Sequence, residues 1–494
     1  MCFLYATAWY LCIFTESLAA PSIVVIMTDD QEDTGSMAYM PKTHALLAEK
    51  GVTFTNSFVN LPLCAPSRAS FFTGQSAHNT GVKANNPVDG GGWGGFKDKE
   101  ADALPVWLKK AGYRTALIGK YLNRYGQEST FGSLLSWAGS YLNINFTGPN
   151  IGNPEDWVPP GWDLWYAFTG SRARYYDYAI NENESIKTFG SSPGDYSTDV
   201  LKARAVHLIK EQKGAADPFF MLVATKAAHA QGKCAIPAPQ YEDAFKEVSF
   251  PFNIADKKKG SASDSKSARG ESKADFEKCY RAELQSLQSV DDLVASMVDA
   301  LQSAGKLDDT VIIYTSDNGF LFGQHGSMGK SAPYEEATRV PLVMRGPGIP
   351  ANQTRSQLVN NLDMVATIVE LAGASPGVVL DGRSLKPLFA DPNAPWRSAI
   401  AFESPSASFM GPSGRYTGVR TATLKYIKFE NGKEKLYDLA ADPHESKSRA
   451  GRKSYTGDLA GLRSLNDKLR SCAGETCCVP FATRQLVLRR SRHK

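Results

Sequence analysis

An α/β protein, with a large mixed but mostly parallel sheet flanked by helices, is the fold that this sequence predicts. Four short runs rich in apolar and β-branched residues occupy positions 22–27, 114–119, 219–225 and 310–315. Helical stretches separate these runs, and runs that are apolar on both faces are typical of buried parallel strands. With 494 residues, 42% of them hydrophobic, the chain can bury a large core and divides most naturally into one large domain and a smaller one.

Each of the four runs leads into polar residues that are suited to chemistry. These residues are Asp29 and Asp30 after the first run, Lys120 after the second, Lys226 and His229 after the third, and Asp317 and Asn318 after the fourth. In parallel α/β sheets, ligands bind at the carboxyl ends of the strands. We therefore expect these side chains to converge on one crevice, although they are far apart in the chain.

Four of these side chains carry oxygen atoms that suit a hard divalent cation. They are Asp29, Asp30, Asp317 and Asn318. Such oxygen donors favour Ca²⁺ or Mg²⁺ over zinc, and no histidine or cysteine spacing in the chain indicates a zinc site. The alternative for the Asp29–Asp30 pair is an Asx turn or a helix cap after the strand.

Cys64 lies in a run, residues 63–74, with the sequence Leu-Cys-Ala-Pro-Ser-Arg-Ala-Ser-Phe-Phe-Thr-Gly. This run resembles the C-x-P-S-R-x(4)-T-G signature of sulfatases, in which the cysteine is oxidised to formylglycine. Pro66 suits the first position of a helix, which would place residue 64 at the positive helix end, where an anion is favoured. The alternative is a buried cysteine ahead of a helix that starts with proline.

A formylglycine would remove a chemical difficulty of sulfate ester hydrolysis. A cysteine or serine that attacked the ester would itself become sulfated, and water would hydrolyse that second ester about as reluctantly as the first. The hydrated aldehyde carries two hydroxyl groups on one carbon. One attacks sulfur, and loss of the proton from the other expels sulfate and regenerates the aldehyde.

Two further segments extend the resemblance to the sulfatase family. Residues 330–348 closely resemble the K-x-x-x-Y-E-x-x-x-R-V-P-L…G-P-G segment, and residues 437–445 resemble the Y-D-L-x-x-D-P-x-E element of the C-terminal part. The similarity runs from about Ile23 to the last cysteines and implies an alkaline phosphatase-like fold with a smaller C-terminal α+β domain. Residues 119–123 and 472–477 are similar to the branch of algal and fungal arylsulfatases and N-acetylglucosamine-6-sulfatases.

The resemblance implies roles for the residues of the predicted crevice. Lys120 and Lys330 would bind sulfate, and His229 would assist departure of the alcohol. The predicted catalytic residues are Cys64, Arg68, Lys120, His229, Lys330 and Asn123, and the predicted ligands of one Ca²⁺ per chain are Asp29, Asp30, Cys64, Asp317 and Asn318. For each lone lysine the alternative is a solvated surface charge, and for His229 it is a satisfied core or loop histidine.

Two positions depart from the family pattern. Leu122 stands where many sulfatases have a histidine, so Asn123 would have to serve as the hydrogen-bond donor. Many relatives also have a histidine shortly after Asp-Asn-Gly, whereas here the first histidine is His325. His325 would either contact the leaving group or, as we favour, hydrogen-bond within its glycine-rich loop. Both positions lie where the alcohol would sit, so they leave its identity open.

We predict a sulfuric ester hydrolase that cleaves an aryl sulfate or a sulfated carbohydrate. Two alternatives remain, a phosphate or phosphonate ester hydrolase of the same fold and an inactive carbohydrate-binding derivative. A formal net charge of +4 is too small to indicate nucleic acid as a partner. Most of that charge can come from the basic tail, residues 484–494.

Features at the N-terminus indicate export. Residues 1–20 form an apolar stretch that ends in small residues and resembles a secretory signal peptide, although a basic n-region is missing. A truncated gene model or a membrane anchor is the alternative. Sequons at Asn145, Asn183 and Asn352 add modest support. We predict a secreted protein, extracellular or in the cell wall, with the lysosome or vacuole as the alternative and with no stable membrane span in the mature chain. The formylglycine-generating enzyme would be its partner during maturation.

The predicted domain boundaries follow from these features. Residues 1–20 are the signal peptide, residues 21–394 the catalytic domain, and residues 395–494 the smaller domain with the basic tail. Residues 256–273 have almost no bulky side chains, which predicts a mobile insertion. Helical spacing of apolar residues then predicts a long helix from Phe276 to Leu301, packed on the sheet.

Five cysteines remain outside the leader and the Cys64 motif, and five cannot all pair within one chain. They are Cys234, Cys279, Cys472, Cys477 and Cys478. The family resemblance implies a disulfide between Cys472 and Cys477, and we expect a loop bridge between Cys234 and Cys279. Because Cys477 and Cys478 are adjacent, the choice between them stays open.

Overall fold

A computed structural model describes residues 20–126, 155–170, 173–249, 272–406 and 414–478. Four sequence predictions lie outside these ranges except at their edges: the signal peptide (1–20), the sequon at Asn145, the insertion (256–273) and the basic tail (484–494). Within the described ranges, no helix is both long enough and apolar enough to cross a membrane.

A ten-stranded mixed sheet forms the centre of the described molecule. The strands in chain order are β1 (Ser22–Asp29), β2 (Val52–Phe54), β3 (Ser57–Phe58), β4 (Arg114–Gly119), β5 (Leu164–Thr169), β6 (Tyr178–Glu182), β7 (Ser185–Phe189), β8 (Phe219–Ala228), β9 (Thr310–Ser316), β10 (Leu321–Phe322), β11 (Met328–Gly329), β12 (Leu342–Arg345), β13 (Gln353–Arg355), β14 (Val359–Asn360), β15 (Ala399–Glu403), β16 (Tyr416–Thr421), β17 (Leu424–Phe429) and β18 (Glu434–Asp438). The order in the large sheet is β13-β2-β12-β9-β1-β8-β4-β5-β6-β7.

The four apolar runs singled out in the sequence are β1, β4, β8 and β9, and they lie side by side in the middle of this sheet. β1 pairs in parallel with β9 and β8, and β4 pairs in parallel with β8 and β5. Antiparallel pairs flank this block, with β12 next to β9 on one side and β6 next to β5 on the other. The prediction of a mixed, mostly parallel sheet is confirmed.

Helices cover both faces of the sheet. The α-helices span Pro41–Thr43, Cys64–Thr73, Ala77–Thr80, Gly92–Phe96, Leu104–Lys110, Ser197–Glu211, Lys273–Ser303, Glu335–Thr338, Asn361–Ala372, Lys386–Ala390 and Thr456–Leu469. Val25 of β1 lies in the core shared with the helices Cys64–Thr73 and Asn361–Ala372, whereas Val24 lies in the core shared with Lys273–Ser303. This alternation is what a strand buried between two helical layers requires.

The long helix predicted from Phe276 to Leu301 is confirmed as Lys273–Ser303. It begins slightly earlier than the apolar spacing indicated because Ser272 caps it. The Ser272 side chain accepts a hydrogen bond from the backbone N–H of Asp275, whose carboxylate accepts in turn from the Ser272 N–H. This capping box stabilises a first turn that carries no apolar periodicity.

A second, antiparallel sheet of four strands follows in the order β15-β16-β17-β18. One of its faces packs against the helix Thr456–Leu469 through Leu459, Leu462 and Leu465. Its other face contacts Leu321 and Tyr334, which flank Lys330 in the chain. The small sheet therefore supports the segment that carries one of the predicted sulfate-binding lysines.

The cysteine pairing follows the expectation from the sequence. Disulfides join Cys234 to Cys279 and Cys472 to Cys477. Cys64 and Cys478 are free thiols, Cys64 being buried and Cys478 half-buried. Residue 477, rather than its neighbour, is the partner of Cys472.

The start of the helix that carries Cys64 differs from the prediction. The helix begins at Cys64 itself, after an extended Leu63, so Pro66 is its third residue and not its first. The first N–H groups of a helix have no partner within it, so a proline anywhere in the first turn costs no hydrogen bond. The first helical bond of this turn runs from the N–H of Ser67 to the Leu63 carbonyl.

Candidate active site

Cys64 lies fully buried at the N-terminus of its helix, facing the carboxyl end of β1. Its Sγ atom is 3.5 Å from Oδ1 of Asp29, the last residue of β1. The ammonium group of Lys330 contacts the same sulfur at 2.7 Å. The positive end of the helix and the ammonium group both favour an anion bound at residue 64.

Buried carboxylates from two adjacent strands meet beside this sulfur. Asp30 adopts a positive φ of 68° directly after β1, and its N–H donates to Oδ1 of Asp317 at 3.2 Å. Asn318 donates from Nδ2 to Oδ1 of Asp30 at 2.6 Å. Asp29, Asp30, Asp317 and Asn318 are each at most 3% exposed. The structure therefore brings together the four oxygen-bearing residues that the sequence placed at strand ends.

Three cationic side chains surround the carboxylates. Arg68, one turn along the Cys64 helix, donates from Nε to Oδ2 of Asp317 at 2.8 Å. The Lys120 ammonium contacts Asp29 and lies 3.9 Å from Oδ2 of Asp317, and the Lys330 ammonium contacts Asp30. Each of the three buried carboxylates thus has a cationic partner, which is what buried charges require.

His229 comes directly after β8 and faces Asp30. Its Nε2 is 3.6 Å from Oδ2 of Asp30, and its Nδ1 is 2.6 Å from the Nζ atom of Lys226. Lys226 is 5% exposed and was named in the sequence only as a polar residue at a strand end. The sequence offered one signal for this contact, because Lys226 stands three residues before His229. The direction in which each side chain points at a strand end depends on the fold, so the contact itself could not be predicted.

Two further sequence candidates are placed apart from this cluster. Among the described contacts, none joins the side chain of Asn123 to the carboxylates or to Cys64; its Oδ1 is buried without a hydrogen-bond partner. His325 stacks on Tyr334, with ring centroids 3.6 Å apart, and faces Glu336. Nε2 of His325 has no hydrogen-bond partner among the described residues, and the expectation that His325 hydrogen-bonds within its own glycine-rich loop stays a prediction.

The surroundings of Cys64 keep its thiol protonated. Burial raises the pKa of Cys64 to about 11, and the nearby charges of Lys120 and Lys330 lower it only in part. A thiol with this pKa carries very little thiolate at neutral pH and is a weak nucleophile. The unmodified side chain is therefore poorly suited to attack an ester.

Neighbouring cations act strongly on the carboxyl group of Asp29. Burial alone would raise the pKa of Asp29, but the charges of Lys120, His229 and Lys330 hold it well below its ordinary value. Asp29 is therefore a carboxylate at any pH near neutrality. An ionised group at this position can pair with a lysine or bind a metal ion.

The donor set of the cluster fits a hard divalent cation. Ligand atoms of Asp29, Asp30, Cys64 and His229 all lie within 4.8 Å of one another. Oδ2 of Asp30 and Oδ1 of Asn318 are buried, and neither has a hydrogen-bond partner among the described residues. Such unsatisfied oxygen atoms are costly unless something binds them, and carboxylate and amide oxygens are ligands for Ca²⁺ or Mg²⁺.

Enzymes that transfer sulfuryl or phosphoryl groups need cations around a nucleophile, because negative charge develops on the transferred group. Here cations converge on a helix N-terminus at the carboxyl ends of parallel strands, where such a group can be held. Fold and site together define a hydrolase of anionic esters with an alkaline phosphatase-like fold.

Within that class, the chain belongs to the sulfatase family. The sulfatase family model matches residues 21–374, and the model described as N-sulphoglucosamine sulphohydrolase, C-terminal, matches residues 323–471. The chain is therefore a sulfuric ester hydrolase. Membership of the family implies a formylglycine-type residue and a bound metal.

Relatives and solved structures agree with this assignment. N-acetylglucosamine-6-sulfatase of Homo sapiens is 34% identical over 507 residues, which cover 93% of this chain and 86% of the relative. Arylsulfatase of Volvox carteri is 30% identical over 529 residues, or 93% of this chain and 76% of the relative. A structure solved in complex with its substrate D-glucosamine-2-N,6-O-disulfate shares the fold with a TM-score of 0.73 at 24% identity, covering 91% of this chain and 97% of that one. A phosphonate monoester hydrolase of Agrobacterium radiobacter also shares it, with a TM-score of 0.65 at 21% identity over 91% of this chain and 95% of that one.

Proposed function

We propose that this sulfatase removes the 6-O-sulfate of a sulfated amino sugar by means of a formylglycine made from Cys64. The substrate class is supported by the relatives that are N-acetylglucosamine-6-sulfatases. The nucleophile is supported by one observation above all, which is the position of Cys64 at a helix N-terminus between Asp29 and Lys330. An aryl sulfate remains the second substrate class because of the arylsulfatase relatives.

The proposed reaction has two steps, and both use hydroxyl groups on the same carbon atom of the hydrated aldehyde. In the first, a hydroxyl group of the hydrated aldehyde at residue 64 loses its proton as its oxygen forms a bond to sulfur, and the bond from sulfur to the alcohol oxygen breaks. The departing oxygen takes a proton, and His229 is the residue that we propose delivers it. In the second, the other hydroxyl loses its proton, the carbon–oxygen bond to sulfate breaks, and the aldehyde is restored; water then adds to the aldehyde and regenerates the hydrate.

The three cations of the site would hold the sulfuryl group. Lys120 and Lys330 lie within contact distance of Asp29 and Asp30, so each can move between a carboxylate and a bound sulfate. Arg68 is fixed more firmly, because it also donates from Nη1 to the Lys120 carbonyl at 2.7 Å. Its Nη2 is buried without a described partner, so its N–H groups can donate to a bound anion.

A Ca²⁺ ion is the metal we propose, one per chain, held by Asp29, Asp30, Asp317, Asn318 and residue 64. When bound, it would supply positive charge to the sulfate oxygens and to the nucleophile. The oxygen-only character of the four strand-end ligands supports calcium over zinc. Asn123 remains a proposed donor to the alcohol side of the substrate, although no described contact joins it to the cluster.

The proposal also covers how the protein matures and where it is located. We propose that the formylglycine-generating enzyme oxidises Cys64 before the protein is secreted, with a lysosomal or vacuolar location as the alternative. Extracellular sulfatases among the relatives support export. We also propose a catalytic domain over residues 21–394 and a C-terminal domain from residue 395, which would contain the four-stranded sheet and its helix.

An assay of purified, secreted protein against four ester classes tests the activity. We expect hydrolysis of N-acetylglucosamine 6-sulfate and of an aryl sulfate at much higher kcat/KM than that of a phosphate or a phosphonate monoester. Cys64→Ala should abolish turnover, whereas Cys478→Ala, which removes the other free thiol of the described residues, should retain it. Preference for a phosphorus ester would favour the phosphohydrolase alternative, and binding without turnover would favour the carbohydrate-binding derivative.

A further inference from the structure

Three side chains that could bind a metal ion meet away from Cys64, at the junction with the small sheet. His325 lies in the turn Gln324–Gly326 between β10 and β11, Glu336 in the helix Glu335–Thr338, and Glu445 after β18. One ligand atom from each lies within 4.8 Å of the others, and Nε2 of His325 is 3.6 Å from Oε2 of Glu336. We call these residues the junction cluster.

The junction cluster contains buried polar atoms that the described protein leaves unsatisfied. Oε2 of Glu336 and Nε2 of His325 have no hydrogen-bond partner among the described residues, whereas Oε1 of Glu445 lies 3.1 Å from the ammonium nitrogen of Lys425. The side chains of Glu336 and Glu445 are only 6% and 1% exposed. Leaving such atoms without a partner is costly, and more so when they are charged.

The charges around the junction cluster do not balance. Lys425 is fully buried and lies 3.1 Å from both Glu335 and Glu445. Arg420 pairs with Glu335 at 3.3 Å. Among the described residues, no lysine or arginine forms an ion pair with Glu336. Three buried carboxylates therefore face two permanent cations, and a bound cation would correct the difference.

The ring of His325 is held in the orientation that binding of a metal ion would require. It stacks on Tyr334 with an angle of 8° between the ring planes and a centroid distance of 3.6 Å. This packing restrains rotation of the ring and aims Nε2 towards Glu336. A ligand that is fixed in advance loses little conformational freedom when a metal binds.

From this geometry we propose that His325, Glu336 and Glu445 bind a zinc-class divalent cation at a second site, separate from the active-site cluster. One imidazole nitrogen and two carboxylate oxygens suit zinc, whereas the active-site oxygen ligands suit calcium. The ion would link the β10–β11 hairpin, which leads to Lys330, with the loop after β18. It would therefore join the small sheet to the segment that carries a sulfate-binding lysine.

Metal analysis of the full-length, secreted protein in excess calcium tests this site. After removal of metals and dialysis against Ca²⁺ and a low concentration of Zn²⁺, wild-type protein should retain one more zinc equivalent than Glu336→Gln or His325→Gln. His44→Gln, which changes an exposed histidine next to Glu49, is the matched control and should retain as much zinc as the wild type. Cobalt in place of zinc should give visible absorption bands that both junction variants lose.

Stability measurements separate loss of the metal site from loss of the fold. Glu336→Gln removes an unbalanced buried charge, so the metal-free variant should unfold at a temperature equal to or above that of metal-free wild type. Zinc should raise the unfolding temperature of the wild type and leave that of Glu336→Gln unchanged. Equal zinc content in wild type and both folded variants, or no zinc uptake by the wild type, would overturn the proposal.

Discussion

Lys330 is the residue whose contacts most directly connect the nucleophile with the carboxylates. Its ammonium group contacts both Cys64 Sγ and Asp30, and its side chain is 13% exposed. The pKa of Lys330 lies well above its ordinary value, because the attraction of the Asp30 and Asp29 carboxylates outweighs the opposing effect of burial. Lys330 therefore stays positively charged throughout the pH range in which an enzyme works, and can stabilise a sulfuryl group at any of those pH values.

Replacement of Lys330 by glutamine should remove that charge with little change of volume. We expect kcat/KM for the sulfate ester to fall by about 100- to 1,000-fold, as for loss of one donor to a developing negative charge. Lys428→Gln changes a lysine that is 44% exposed on β17 and should leave the kinetics unchanged. Steady-state kinetics of both variants check this, and wild-type kcat/KM in Lys330→Gln would contradict the role.

For single residues, the sequence predicted which side chains belong to the site better than it predicted the contacts between them. Asp29, Asp30 and Asp317 could be recognised because they end apolar runs, and polar groups at the ends of parallel strands share one edge. The contact between Lys226 and His229 could not be recognised, because it depends on the direction that the backbone takes at the end of β8. The junction cluster was also missed, since its residues are up to 120 positions apart in the chain and share no motif spacing.

The strand β4 shows how an element positions a functional side chain. Gly119, its last residue, has a φ of +109°, and a Cβ atom there would lie 2.0 Å from the Ala224 carbonyl oxygen of β8. That carbonyl accepts the N–H of Lys120 at 2.8 Å. Only a glycine permits this close approach, which places Lys120 beside Asp29.

Gly119→Ala should therefore destabilise the protein by about 2–6 kcal/mol, the sum of backbone strain and overpacking. Gly112→Ala is the matched control, because Gly112 also has a positive φ of +88° but nothing within 4 Å of an added Cβ. The control should lose about 1–3 kcal/mol from strain alone. Denaturant unfolding measures both, and equal losses would contradict the importance of the close approach.

Strands and helices were predicted correctly where the pattern of apolar residues was strong, but the exact ends of the helices were not. The four apolar runs became central strands, and the spaced apolar residues from Phe276 became the long helix. The helix start at Cys64 was misplaced by two residues, because proline is compatible with any position in the first turn. Short strands such as β3 and β14 carry too few residues to show a period.

Whole-molecule stability depends partly on contacts between the N-terminal half and the C-terminal segment. His78, in the helix Ala77–Thr80, contacts Glu403 of β15 at 2.9 Å through Nδ1 and the Cys472 carbonyl at 2.8 Å through Nε2. Burial alone would lower the pKa of His78, but its hydrogen bond and charge interaction with Glu403 raise it above 6.5. The protonated ring can donate to both partners, so it links the helix Ala77–Thr80 to β15 and to the C-terminal segment.

This contact predicts a pH dependence of a definite sign. Because the folded state raises the pKa of His78, its contribution is fully present below pH 6.5, the unfolded value, and is lost as pH rises through the folded pKa. His78→Gln should therefore cost more unfolding free energy at about pH 5.5 than at about pH 8.5. His207→Gln, which changes an exposed histidine paired with Glu211, should show a much smaller difference. Parallel pH dependence in both variants would contradict the role of His78.

At the scale of the molecule, the sequence predicted the central architecture and the class of reaction. Apolar periodicity and the Cys64 motif were sufficient for both, because each depends on residues that are close in sequence. The junction between the two sheets was not predictable in detail. It depends on Lys425, Glu335 and Glu445, whose pairing arises only after β17 packs against the segment following Lys330.

The central claim is that residue 64 acts as a formylglycine, and the mass of the peptide that contains it tests this most directly. The protein should be secreted from a host that has the formylglycine-generating enzyme, and its sulfatase activity should be measured on the same sample. We predict a peptide with the mass of formylglycine at position 64, in a fraction that rises in proportion to specific activity across preparations. Unmodified cysteine throughout a sample that still hydrolyses the sulfate ester would contradict the account.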